Sequence, residues 1–238
     1  SLLSMSEDQS TIQVMPGYWF QYNMFAVVRN ARKYRDRDRR VVKEHDIEYD
    51  FLAPDTAEEM IRGMEILRRG VEDLLGRPLS EEDLERHEQL DGSLDLRLEG
   101  FAYRRKAIIL HPLRGYLWYR KMLRFYGALE LKAAVREALA RLPAGSRLAG
   151  KAAEEIRSRC EKPYRDWENI GGQLIPQEQL QSILASVAEG RLETWEQVHE
   201  AYRSAGSRYA EQRRSHGLHC SLLTFTKSID DLDAPLIR

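Results

Sequence analysis

The sequence predicts a mainly α fold, a helical domain with a long central helix and at most a short β-hairpin. Three observations carry this. Helix-start signatures recur from residue 56 onward, the stretch after Pro112 keeps helical apolar spacing as far as Leu142, and strand-like alternation is confined to residues 93–111.

Thr56 and Glu59 stand at the two positions of a capping box, in which each side chain takes the other residue's backbone N–H. Met60, Ile61, Met64, Leu67, Val71, Leu74 and Leu75 then mark one face, until Gly76 and Pro78 stop the helix. Ser80 reads as the cap of an acidic helix carrying Glu81, Glu82, Asp83, Glu85 and Glu88, with Leu79 and Leu84 placed as a hydrophobic staple. Leu94, Leu96 and Leu98 alternate with polar residues, and Ala107–Leu110 is an aliphatic run, so these two pieces are the expected strand pair.

The longest helix is expected from Pro112 to Leu142, about 45 Å at 1.5 Å per residue, on the stripe Leu113, Tyr116, Leu117, Leu123, Tyr126, Ala134, Val135 and Ala138. Gly115 and Gly127 each weaken a helix by about 1 kcal/mol relative to Ala, which marks them as kink points. Pro176 is expected as a first helical residue ahead of the stripe Leu180, Ile183, Leu184 and Val187. Thr194 and Gln197 form a second capping box, opening a helix whose inner face would be Trp195, Val198, Tyr202, Ala205 and Tyr209 and which would run out before His216-Gly217. The implied organisation is a flexible leader or cloning remnant over 1–13, a helical domain over 14–145, a helical C-terminal region over 146–225 packed on it, and a tail over 226–238.

Composition excludes several function classes. The chain has 238 residues, 37 Lys+Arg against 38 Asp+Glu, and a net charge of −1, so it is not a uniformly basic nucleic-acid coat. With 42% hydrophobic residues it is not a disordered chain, and it holds no apolar run near the roughly 18 residues of a membrane span. Cys160 and Cys220 stand far apart without a C-x-x-C pattern, which suits a reducing compartment; a cytoplasmic protein is expected. The charge is unevenly placed, with +5 over 29–45, −11 over 46–99 and +7 over 100–129.

The motifs with catalytic associations are weak. Gly145-x-x-x-x-Gly150-Lys151 resembles a phosphate-cradling loop, but Ala152 stands where Ser or Thr must hold Mg²⁺ and no buried strand precedes it. His216, His219 and Cys220 lack a zinc spacing and read as a surface loop, so no metal and no cofactor is predicted. Glu48 with Asp50 lies in Ile47–Thr56, where acids alternate with apolar groups ahead of a helix, and a structural role is expected, Asp50 as a turn residue. Gly171-Gly172 reads as a tight turn.

The strongest binding signal is aromatic residues interleaved with basic ones. Flat rings stack on bases or sugars, and Arg or Lys neutralises phosphate. Rings that leave the helical stripe are the better candidates for exposed contacts, which selects Trp19 and Trp118, with Asn23, Arg29, Arg32, Lys33, Arg104, Arg105 and Lys106 as the neighbouring ligand-binding candidates. The acidic segment between the basic blocks argues against nucleic acid.

Two stretches carry a family resemblance: Tyr18–Asp38 leading to Ile47–Thr56, and Trp167–Pro176 leading to Trp195–His199. They resemble the C-terminal part of a bacterial family of unknown function, whose longer members are similar to sugar-nucleotide transferases with a left-handed parallel β-helix followed by a helical tail. The resemblance implies that this chain, which shows no hexapeptide repeat, is the tail. It implies an accessory or interaction region whose partner is the N-terminal part of a parent protein or a second copy, and it predicts exposed apolar surface near residues 12–25. The alternative is part of a site for a phosphorylated sugar or nucleotide-sugar, built on the basic and aromatic candidates named above.

Overall fold

The computed structural model describes residues 1–98, 106–141 and 166–223. They form two compact units, Ser1–Asn30 with Glu59–Met122, and Ala31–Glu58 with the described residues from Leu123 onward. The units interleave in sequence, where the sequence reading divides the chain linearly at residue 145. Pairings between distant segments cause this, and local composition does not register them.

In the first unit, β1 (Leu2–Met5) and β2 (Thr11–Met15) form an antiparallel hairpin. This corrects the expectation of a flexible leader over 1–13. Its turn is held by Asp8, which accepts from the Ser6 and Ser10 hydroxyls and the Ser10 N–H. Those donors, Ser6 first, bring the Asp8 pKa down to about 2. The hairpin is stable because β2 also pairs in parallel with β4 (Lys106–Ile109), and β4 pairs antiparallel with β3 (Leu96–Leu98), giving the sheet order β1-β2-β4-β3. The β3–β4 pair is the one expected from the Leu94–Leu110 pattern.

Helices α1 (Tyr18–Tyr22) and α2 (Met24–Asp36) follow β2, with Asn23 breaking the run between them. Helix α3 (Pro54–Leu75) starts two residues ahead of the Thr56 cap, because Pro54 has the fixed φ of a first helical turn and no N–H to satisfy. Met60, Met64, Leu67 and Val71 of α3 are buried as its stripe requires, whereas Leu74 is exposed. Leu67 and Val71 close a core with Leu84, Leu94, Leu96, Ile109 and Leu113. Leu84 comes from α4 (Glu81–Glu85), whose start carries the expected Ser80 cap, with Asp83 reaching back to the Ser80 N–H. Leu79 packs on the same cluster, as a staple should. Helix α5 (His87–Leu90) follows and leads to the buried Asp91.

Helix α6 (Pro112–Arg141) is the long helix, and it is continuous through both suspected kink points. Gly115 is present for space: a Cβ there would lie 2.6 Å from the Pro16 Cβ. The buried Asp91 carboxylate accepts the Leu113 and Arg114 N–H groups at 2.9 Å each and so caps α6 from a distant part of the sequence.

In the second unit, β5 (Trp167–Ile170) and β6 (Gln173–Pro176) form a hairpin. Gly171 and Gly172, with φ of 64° and 95°, make the two-residue turn that needs positive φ twice. Pro176 ends β6, so α7 (Gln177–Ala188) starts one residue later than expected. The stripe expected to be inside α7 is largely outside, since Leu184 and Val187 are exposed. Helix α8 (Trp195–Gly206) opens with the predicted Thr194–Gln197 capping box, but Trp195 is 72% exposed rather than internal. Helix α9 (Tyr209–Leu223) runs straight through His216-Gly217, where the sequence suggested an end. Ala53, Trp167 and Leu174 are buried together with Tyr209 packed against them.

Candidate functional site

The structure treats the sequence-predicted ligand residues unevenly. In the first unit, Trp19 on α1 is 41% exposed, and Phe25 on α2, 76% exposed, lies under the Arg29 guanidinium at 5.8 Å. Asn23 is the break between α1 and α2, its carbonyl accepting the Ala26 and Val27 N–H groups. Trp118 is half-buried on α6, close to Gly17, with Lys121 Nζ 4.5 Å from its ring centre. Lys106 is exposed at the start of β4. In the second unit, Arg32 and Lys33 are exposed, Arg32 standing 3.9 Å from Asp36. Arg104 and Arg105 lie outside the described residues, as does the Gly145–Lys151 motif.

A polar cluster that the sequence did not single out is organised by α9. Tyr209, Arg213, His216 and Cys220 recur at helical spacing on one face of it. The Arg213 guanidinium donates to Glu48 at 2.6 Å, Asp50 at 3.2 Å, Glu130 at 3.0 Å and the Leu52 carbonyl at 2.9 Å. The Tyr209 hydroxyl donates to the same Glu48 oxygen at 2.6 Å. Burial alone would lower the Arg213 pKa, but Glu48 and the other acids outweigh it and keep the guanidinium charged. Three carboxylates share that one cation, and burial pushes the Glu130 pKa up in spite of Arg213, with Asp50 adding a like charge. Burial, with Glu48 next to it, also raises Tyr209 far above the ordinary tyrosine range. Asp50 additionally accepts the Leu52 N–H at 3.2 Å, the turn role expected of it.

One helical turn further, His216 Nε2 lies 2.8 Å from Glu58 Oε1. Cys220 Sγ is 3.5 Å from His216 Nδ1 and 3.6 Å from its Nε2. The expected surface loop is therefore a buried helix face, with His216 and Cys220 each 1% exposed. Among the described residues, Glu58, His216 and Cys220 are the group whose ligand atoms, within 4.8 Å of one another, are close enough to share a metal ion. Two facts weaken such a role. The imidazole nitrogen nearest the carboxylate is already bonded to it, and a sulphur equidistant from both ring nitrogens stands over the ring face, out of line with either lone pair. Neither metal ligation nor thiol activation follows without rearrangement. The cluster is a buried clamp joining Glu48, Asp50 and Glu58 to α9. Sequence reading missed it because the partners of Arg213 and His216 come from segments far away along the chain.

Residues 150–235 match a domain of unknown function (DUF6819). That match contains α7, α8 and α9, hence Arg213, His216 and Cys220, but not the acids that face them. The chain is 25% identical, over 244 residues, to an uncharacterized protein of Treponema pallidum (strain Nichols). The alignment covers all of this chain and 32% of that protein, so the chain spans about a third of the length of the relative it matches. No solved structure matches. These findings relate the chain to bacterial proteins of unknown function. Among the described residues, no helix is long and apolar enough to cross a membrane.

Proposed function

We propose that this chain is a helical accessory region through which a larger bacterial protein packs its parts together or pairs with a second copy. The observation that carries this reading is the apolar exposure on α1 and α2. Trp19, Phe25 and Val28 are all exposed, and Phe25 and Val28 lie one helical turn apart on the same face. A monomeric soluble domain does not usually leave an aromatic and aliphatic face uncovered. Support also comes from the relative, which has about twice as much chain outside the matched region as within it. The likeness to the helical tail of left-handed β-helix transferases belongs to the same reading: a β-helix would lie in that additional length.

The test is the association state of this chain and of a longer version that includes the additional length. Sedimentation of the isolated chain is expected to show concentration-dependent self-association that Phe25→Asp and Val28→Asp abolish. In the longer protein the same substitutions are expected to lower the melting temperature. An isolated chain that stays monomeric, together with a longer protein indifferent to both substitutions, refutes the reading.

A further inference from the structure

A cleft in the first unit lies where two neighbouring parallel strands end. β2 and β4 pair in parallel, with Val14 opposite Ile109, and each leads directly into a helix, α1 from β2 and α6 from β4. Crevices beyond the carboxyl ends of adjacent parallel strands are the usual ligand positions in α/β arrangements. Here the crevice has a volume of about 220 Å³; its polar lining comes from Tyr18, Gln21 and Tyr22 of α1, from His111 just ahead of α6 and from Arg114 in the first turn of α6, beside apolar groups at the strand ends.

Three features of the lining select the ligand. The first is Arg114, whose guanidinium donates to the Tyr22 hydroxyl at 3.3 Å and pairs with no carboxylate among the described residues. The nearby acid, Asp91, is engaged with the Leu113 and Arg114 backbone N–H groups. Those donors are therefore taken, and an anion in the cleft would be held by side chains.

The second is His111. The two strand-to-helix turns both pass through positive φ, at Gly17 (69°) and at His111 (53°). Glycine adopts that conformation freely, and histidine, though it enters it more readily than most residues, does so at a cost, so the turn by itself does not require the imidazole. Its Nδ1 is buried and without a hydrogen-bond partner among the described residues. A proton on that nitrogen would be stranded, which favours the tautomer carrying the proton on Nε2 and makes Nε2–H the donor that His111 offers.

The third is size. At about 220 Å³ the cleft is small for a ligand site and has room for a phosphoryl group on a short polyol. A guanidinium on α6, an imidazole N–H in the turn ahead of it and phenol hydroxyls on α1 match the three terminal oxygens of a phosphomonoester better than the two coplanar oxygens of a carboxylate.

We propose that this cleft binds a small phosphomonoester, its phosphoryl group taken by Arg114, His111 and the Tyr22 hydroxyl, with the Tyr18 ring beside the polyol. This site does not use the Phe25–Val28 face or Arg29; of the sequence-predicted ligand residues Trp19 adjoins it, packing edge-on against Tyr18 at 5.8 Å.

The test is titration calorimetry of this chain with glycerol 3-phosphate and ribose 5-phosphate, against glycerol, ribose, inorganic phosphate and malonate. Saturable binding of the phosphomonoesters is expected, weaker binding of inorganic phosphate, and none of the neutral sugars. Arg114→Gln keeps the backbone N–H that Asp91 accepts and is expected to weaken binding at least about 10-fold, the lower end for a charge-assisted hydrogen bond. His111→Gly separates function from structure: it is expected to raise the melting temperature, by relieving the backbone, while weakening binding. Failure of every phosphomonoester to bind, preference for malonate, wild-type affinity in Arg114→Gln, or a lowered melting temperature in His111→Gly would each overturn the proposal.

Discussion

Replacing Arg213 by Met removes one guanidinium and leaves three acids facing a hydrocarbon chain. The Glu48 side chain is 9% exposed and that of Glu130 10%, so neither can recover full hydration in place of the bonds it loses. Glu48 keeps the Tyr209 hydroxyl, and Asp50, at 29% exposure, is partly wetted. Removing one partner of a buried ion pair costs about 3–5 kcal/mol, and that range is the expectation at pH 7.5. For a chain of this size it corresponds to a fall in melting temperature of about 6–20 °C. The loss has a pH signature. Burial already raises the folded pKa of Glu130 above its unfolded value, and removing Arg213 takes away the charge that opposes this rise. Between the unfolded and folded pKa the native state binds more protons than the unfolded state, so the variant gains stability as pH falls through that window. The deficit relative to wild type is therefore expected to be smaller at pH 5 than at pH 7.5. Urea unfolding followed by tryptophan fluorescence measures this, and Trp167, which packs edge-on against Tyr209 at 5.9 Å, is one of the four reporters. A loss under about 1 kcal/mol at both pH values would show that the acids rehydrate or repack freely, and would refute the view of Arg213 as the hub of a buried clamp.

Three further outcomes follow from the same unit. Glu130 already has a raised folded pKa in the wild type, so its ionisation subtracts stability as pH rises past its unfolded value; Glu130→Gln is expected to cost less than about 1 kcal/mol at pH 7.5 and to flatten the fall in stability from pH 4.5 towards neutrality, read from urea midpoints across pH. Gly217→Ala would place a Cβ 2.5 Å from the Glu130 Cγ and 3.0 Å from the Tyr126 Cζ, and an overpacking loss of about 1–3 kcal/mol is expected in the same assay. Cys220, 1% exposed, is expected to resist iodoacetamide in the native state and to be alkylated at the rate of unfolding, which peptide mass spectrometry resolves; rapid native labelling would mean that this helix face opens easily.

What the sequence by itself determined were features decided within a few residues. The Ser80 and Thr194 caps, the Gly171-Gly172 turn and the existence of a long helix after Pro112, though not its continuity through Gly115 and Gly127, depend on hydrogen bonds and φ preferences that neighbouring residues settle, and each was legible in the sequence. Exposed apolar surface near residues 12–25 was expected from the family resemblance, and Trp19, Tyr22 and Phe25 are exposed there. Tertiary structure alone decided the rest. Periodicity shows that a helix has an apolar face but not whether anything covers it, which is why Leu184, Val187 and Trp195 proved exposed. The parallel pairing of β2 with β4 turned a supposed leader into a sheet strand and created the cleft at their ends, since hydrogen bonds between strands far apart in sequence leave no local pattern. For the same reason a histidine read as part of a loop found Glu58, and an arginine assigned no role from the sequence gathered Glu48, Asp50 and Glu130: buried charge is tolerated where the fold supplies opposite charge, and that supply is fixed by three-dimensional proximity.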